Sequence, residues 1–102
     1  MNQAEFAERF KHLQDKCFDI CTAKNKDYSK EDDAFSNFKR GRQSVPAKVL
    51  SRMEDKLSRV ENILHTIDPQ INTDETLEDT LIDLANYALI MAIAIGEVDD
   101  NG

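Results

Sequence analysis

Glu75, Asp79, Asp83 and Asn86 are the residues of this chain whose types and spacing most invite chemistry. At 100° per residue the four fall within roughly 80° of one another on a helix. The same stripe continues as Ile90 and Ile93, so it faces a packed groove with Asp79 and Asp83 at its mouth. Like charges at i,i+4 destabilise a helix by about 0.2–0.5 kcal/mol, and partial burial raises that cost unless the charges are paired. Two partners fit. One is a divalent cation, because Mg²⁺ takes one or two carboxylates plus the phosphates of a substrate. The other is the basic set Arg52, Lys56 and Arg59, which could salt-bridge Asp79 and Asp83 directly. Spacing alone leaves both open.

Those basic residues belong to an uneven charge distribution. The chain carries a net charge of −7, yet from Lys39 to Arg59 seven basic residues face only Glu54 and Asp55. From Val60 to Gly102 there are ten acids and no Lys or Arg. A basic helix followed by an acidic one can pair with it, or can build a site where phosphates and cations meet. Arg52, Lys56 and Arg59 form the phosphate-competent flank, with arginine suited to bidentate contact. Glu54 and Glu61, seven apart, form the opposite flank and are either a solvated edge or the completion of a carboxylate cluster. Asp55 points away from the core face, so Glu54 is the better candidate. The small basic cluster and the overall negative charge argue against nucleic-acid binding.

Three long helices must position these groups. Phe6, Phe10, Leu13, Cys17, Ile20 and Cys21 recur at helical spacing and predict a helix from about Gln3 to Lys24, stopped at Asn25. Ser44 as N-cap and Pro46 in the first turn predict a second helix from about Val45 to Ile67. Its core face is Val49, Met53, Leu57, Val60 and Leu64, and Asp68-Pro69 ends it. Thr73 caps a third, with Asp74 and Glu75 in the first turn. It runs to Ile95 and Gly96 ends it, leaving a frayed tail. Leu77, Leu81, Leu84, Ala88, Met91 and Ile95 face one way along it, and other apolar residues face elsewhere. A helix apolar nearly all round is buried on several sides, which in so short a chain points to a subunit interface. Between the first two helices, Phe35 and Phe38 clamp a short helix to the core, and Gly41 closes it.

With 102 residues, two Pro and three Gly, the expectation is one all-α domain over 1–102, a small helical bundle of three main helices plus a short one, completed by oligomerisation. Cys17 and Cys21 read as buried thiols of a reducing compartment. His12 and His65 read as surface or boundary residues. The start lacks the pattern of a signal peptide, and the apolar run Leu84–Ile95 is too short to span a bilayer, so the expectation is a cytoplasmic chain with no membrane partner. A Gly-rich phosphate loop and a nucleophile elbow are both absent from the sequence.

The run Lys26-Asp27-Tyr28, Phe35, Phe38, Arg52-x-x-Asp55-Lys56-x-x-Arg59 and Glu78-Asp79-Thr80-x-x-Asp83-Leu84-Ala85-Asn86-Tyr87-Ala88 resembles the nucleotide-modification-associated domain family of phage and prophage proteins over about residues 24–95. The helical hairpin is also similar to the MazG-like all-α NTP pyrophosphohydrolases. That likeness implies a homo-oligomeric nucleotide-binding protein, a Mg²⁺- or Mn²⁺-dependent enzyme cleaving a (d)NTP to (d)NMP and pyrophosphate. Carried over, it implies Asp79 and Asp83 as the catalytic, metal-binding carboxylates with Glu54 or Asp55 next, Glu54 favoured by geometry as the third catalytic one; the helix-three stripe adds Glu75 as a further metal candidate. Lys56, Arg59, Arg52, Lys26, Tyr28 and Asn86 would contact the nucleotide. The enzymes carry Glu-x-x-Glu and Glu-x-x-Asp. Here Glu54 is followed at plus three by Leu57, and the second pair is Asp79-x-x-x-Asp83. The alternative is a non-catalytic helical module whose acidic half occupies a partner's basic groove.

Overall fold

The computed structural model describes residues 1–66 and 74–101, and of the helical positions 66, 74–76 and 98–101 only the backbone. The order is α1 (Gln3–Tyr28), the single 3-10 turn η1 (Ser36–Phe38), α2 (Val45–Thr66) and α3 (Asp74–Asn101). No β-strand occurs among the described residues, so the all-helical expectation holds. The expected stops at Asp68-Pro69 and the cap at Thr73 lie outside the described residues.

Helix α1 starts on Asn2 as its N-cap. The Glu5 N–H donates to the Asn2 side-chain oxygen at 2.8 Å, and the Asn2 side-chain amide donates to the Glu5 carboxylate at 3.1 Å. It does not stop at Lys24. Asn25 continues the helix and its carbonyl accepts the Ser29 N–H at 2.9 Å, so the chain turns into extended backbone only at Ser29. Ser44 does begin α2: its hydroxyl accepts the Ala47 N–H at 3.3 Å. Gly96 does not end α3, which runs on to Asn101. A glycine inside a helix costs about 1 kcal/mol relative to alanine, but it stops one only by adopting a left-handed conformation. Here the glycine with positive φ is Gly41, at +88°, at the close of the loop after η1.

Helices α2 and α3 pack as an antiparallel hairpin, the most extensive contact in the fold. Lys56 meets Asp83, and one turn back on α2 Arg52 lies by the Phe38 ring, which meets Tyr87 one turn on along α3. Helix α1 crosses α3 with its C-terminal half, while Phe6, Phe10 and Leu13 remain exposed. At about 1.5 Å per residue α1 is about 39 Å long, more than the crossing can cover. Cys17 and Cys21, expected to be buried, are half-buried for the same reason.

The buried side chains described are Phe38, Val49, Val60, Ile82 and Ala94, with the polar Thr80 and Asn86 among them. The expected core faces are therefore met in part. Val49 and Val60 are inside as expected, but Leu57 and Leu64 are exposed. On α3 the leucine face is divided, with Leu81, Ala88 and Ile95 exposed and Leu77, Leu84 and Met91 half-buried, while Asp83, Asn86 and Ile90 turn inward as their stripe predicted and its Asp79 and Ile93 stay exposed. The reason is polar pairing across helices: α1 docks on α3 through Asp83 and Asn86, which the leucines cannot replace. By length and composition Leu77–Glu97 is long and apolar enough to cross a membrane, a longer span than the run Leu84–Ile95 considered above. That span includes Asp79 and the ion-paired Asp83.

Candidate phosphate-binding cleft

Asp83 is the centre of the site. Its carboxylate accepts from Lys24 Nζ of α1 at 2.9 Å and lies 3.2 Å from Lys56 Nζ of α2, so one acid ties all three helices. Burial pushes its carboxyl up, but the hydrogen bonds and charges of the two lysines outweigh this and hold it below the ordinary carboxylate value. The hydrogen bond to Asp83 correspondingly raises Lys24 above an ordinary lysine. One turn on, the buried Asn86 amide donates to the Cys17 carbonyl at 3.1 Å, which sets the height of α1 on α3.

The aromatic wall comes from the loop. Ser29 accepts the Asn37 N–H at 3.3 Å, Ser36 accepts the Lys30 N–H at 2.8 Å, and Asp33 accepts the Phe35 N–H at 3.1 Å and the Lys39 ammonium at 2.8 Å. These latches hold Phe38 against the bundle, edge-on to Tyr87 with ring centroids 6.4 Å apart. The Arg52 guanidinium stacks 5.0 Å from the Phe38 centroid.

Together they line a cleft of about 180 Å³. Its charged residues are Lys24, Arg52, Lys56 and Asp83, three positive against one negative, a net +2 in a chain of net −7. Tyr28, Tyr87 and Phe38 supply rings, and Asn25, Asn37 and Asn86 supply amides. Beyond Cys21, Asn25, Phe38 and Ile90, which border both, lies a larger cavity of about 660 Å³, mainly apolar and also lined by Phe35, Ile93 and Lys26.

The structure brings together some of the expected site residues and separates others. Asp83, Lys56, Arg52, Tyr28 and Asn86 share the cleft, while Lys26 lines the neighbouring cavity. Asp79, Arg59, Glu54 and Asp55 are exposed and line neither. Glu54 precedes Lys56 by two residues and so points about 160° away from it around α2. The Glu75 side chain lies outside the described residues. Among the described residues no three His, Cys, Asp or Glu side chains gather as a metal site. With both lysines on Asp83 and Glu54 turned away, the donors among the described residues do not gather as a resident Mg²⁺ site. Lys24 is the residue that sequence reasoning missed, because it is 59 positions from its partner and carries no local signal.

Fold and cleft define the class: an all-α protein with a cationic, aromatic-walled pocket framed by three helices. The chain belongs to the family described as Nucleotide modification associated domain 1, which matches residues 24–95. No curated protein and no solved structure matches it significantly. The family match begins at Lys24, so it includes every residue of the cleft except Cys21.

Proposed function

We propose that this protein binds a mononucleotide of the cytoplasmic pool, with the phosphate held by Lys24, Lys56 and Arg52 and the base or sugar beside Tyr28 and Tyr87. The observation that carries this reading is the net +2 cleft in an acidic chain. A pocket of one sign focuses the field on a small anion while the remaining surface repels a polyanion, which favours a mononucleotide over nucleic acid. Arginine and lysine both suit phosphate, and the rings give a base an apolar face. Asp83 holds the two ammonium groups in place until a phosphate competes for them. The family's printed description supports a nucleotide as ligand.

Hydrolysis of a (d)NTP to (d)NMP and pyrophosphate, as in the MazG-like enzymes, is the finer reading. It is favoured by Asp79 and Asp83 standing on successive turns of α3, Asp83 in the cleft and Asp79 exposed outside it. Because the donors among the described residues do not gather as a Mg²⁺ site, the metal in this reading arrives with the nucleotide. The reading as an acidic mimic is less well served, since Asp83 is spent on two lysines. We also take the bundle to be completed by a second copy. Isothermal titration with nucleoside mono-, di- and triphosphates, with and without Mg²⁺, tests the proposal. Saturable binding that is lost in Lys56→Met supports it, and absence of binding across the panel removes it.

A further inference from the structure

The cationic cleft is too small for a whole nucleotide. It measures about 180 Å³, whereas small-molecule sites run to about 300–1,000 Å³. A phosphate and a sugar are enough to fill it, and the sugar has a partner in place. Asn86 is buried at 7 % exposure, and its amide nitrogen is committed to the Cys17 carbonyl. Its Oδ1 receives no hydrogen bond from a described residue, although Asn86 lines the cleft. A buried acceptor without a donor is costly, and a sugar hydroxyl supplies the donor. Asn86 stands three residues beyond Asp83, about 4.5 Å along α3. That is the order in which a nucleotide presents its phosphate and then its sugar.

The neighbouring space continues the same path. Cys21, Asn25, Phe38 and Ile90 border both the cleft and the mainly apolar cavity of about 660 Å³ beyond it. Ile90 and Ile93 line that cavity seven and ten residues past Asp83, about 10.5 and 15 Å along α3. Phe35 and Phe38 of the loop supply aromatic wall. At the junction Asn25 is held in one orientation. The Ser29 hydroxyl accepts the Asn37 N–H at 3.3 Å and donates to Asn25 Oδ1 at 3.0 Å, which leaves the Asn25 amide nitrogen to donate. Apolar walls with a hydrogen-bond donor at the entrance suit a flat heteroaromatic ring that carries an acceptor on its edge.

We infer that this cavity is the base compartment of the nucleotide whose phosphate the cleft holds, with Asn25 donating to the edge of the base and purines preferred. This rests on the proposed function and names the part of the ligand that the cavity takes. The phosphate contacts are the same for every nucleotide, so discrimination between bases falls to the cavity. Purine preference follows from area: stabilisation grows with the apolar surface removed from water, and the larger ring covers more of Phe35, Phe38, Ile90 and Ile93.

Calorimetric titration of the full chain with inorganic phosphate, deoxyribose 5-phosphate, dGMP, dAMP and dCMP reads the two compartments separately. The purine nucleotides should bind about tenfold more tightly than deoxyribose 5-phosphate, the size of one base stacked on aromatic side chains, and more tightly than dCMP. Ala34→Trp fills the cavity from an exposed loop position, and Ile93→Asn makes an exposed wall residue polar. Each should abolish the gain from the base, with deoxyribose 5-phosphate bound as before and helical circular dichroism retained. Asn25→Asp keeps the acceptor for Ser29 and removes the donor, so the ratio of dAMP to deoxyribose 5-phosphate affinity should fall several-fold. Deoxyribose 5-phosphate binding with no gain from any base overturns this inference and leaves the phosphate cleft standing. So does a purine gain that survives both cavity variants, or a native preference for dCMP. Failure of every compound to bind, inorganic phosphate included, overturns the proposed function itself.

Discussion

Replacing Asp83 by asparagine removes the one negative charge of the cleft and keeps the shape of the side chain. The stability effect follows from two contacts of different quality. Lys56 and Asp83 are both about three-quarters buried, at 25 % and 21 % exposure, with N···O at 3.2 Å. A hydrogen bond to a charged group contributes about 1.5–3 kcal/mol, and this length places the pair at or below the lower end. Lys24 is half-exposed, so its share is that of a screened surface pair, about 0.2–1 kcal/mol. The substituted amide would still accept a hydrogen bond, and the expected loss is about 1–2 kcal/mol, or roughly 5–15 °C in melting temperature for a domain of this size. Thermal and urea melts of Asp83→Asn, Lys56→Met and the double variant measure it. The same substitution frees two ammonium groups, so affinity for a nucleotide monophosphate should rise several-fold although the fold is weaker. Unchanged stability with zero coupling to Lys56 would refute the reasoning, as would a loss of phosphate affinity. A loss of metal-dependent turnover would instead assign Asp83 to the metal.

Other outcomes follow from the same geometry. Asp83 titrates below its ordinary value when folded, so its contribution is present above about pH 4, the unfolded value, and is lost as pH falls through the folded value; acid melts should show native but not Asp83→Asn protein losing this increment. Lys24 is raised, so the mirror-image loss should appear as pH climbs past about 10.4 and through its folded value. Asn86→Ala should cost about 1–2 kcal/mol by urea melt, because it removes the amide bond to the Cys17 carbonyl and leaves a gap where α1 crosses α3. Arg52→Ala should cost about 0.5–1 kcal/mol through its stacking on Phe38, and should weaken nucleotide binding more than it weakens the fold. Val49→Ala, at a fully buried position, should cost about 2 kcal/mol without altering ligand affinity.

The three helices were legible because their caps and periods are local. Ser44 marks the start of α2 and the loop phenylalanines mark the clamp that η1 became. The inward turn of the Asp83–Asn86 stripe was legible from its spacing and its apolar continuation, but the exposure of half of the leucine face was not, because the inward choice is made by partners far along the chain. Lys24 and the Cys17 carbonyl select the Asp83–Asn86 face, and neither announces that role in its own segment. Leu57, Leu64 and Leu81 read as core from the same local period and are exposed. Within the site, Asp83 pairs with Lys56 and Lys24, the salt-bridge partner being one of the two that spacing left open, although of the two lysines only Lys56 was in the basic set considered. Glu54 looked suitable from its spacing to the core face, yet its angular distance from Lys56 carries it to another side of α2.

The most direct test of the central claim is a calorimetric titration of a deoxynucleoside monophosphate and its triphosphate, with pyrophosphate release followed in parallel with Mg²⁺ and with EDTA. The account predicts saturable binding in EDTA that disappears in the Lys24→Met, Lys56→Met variant while the helical signal persists. Binding that survives that double substitution, or no binding of any nucleotide by the folded native chain, would contradict it.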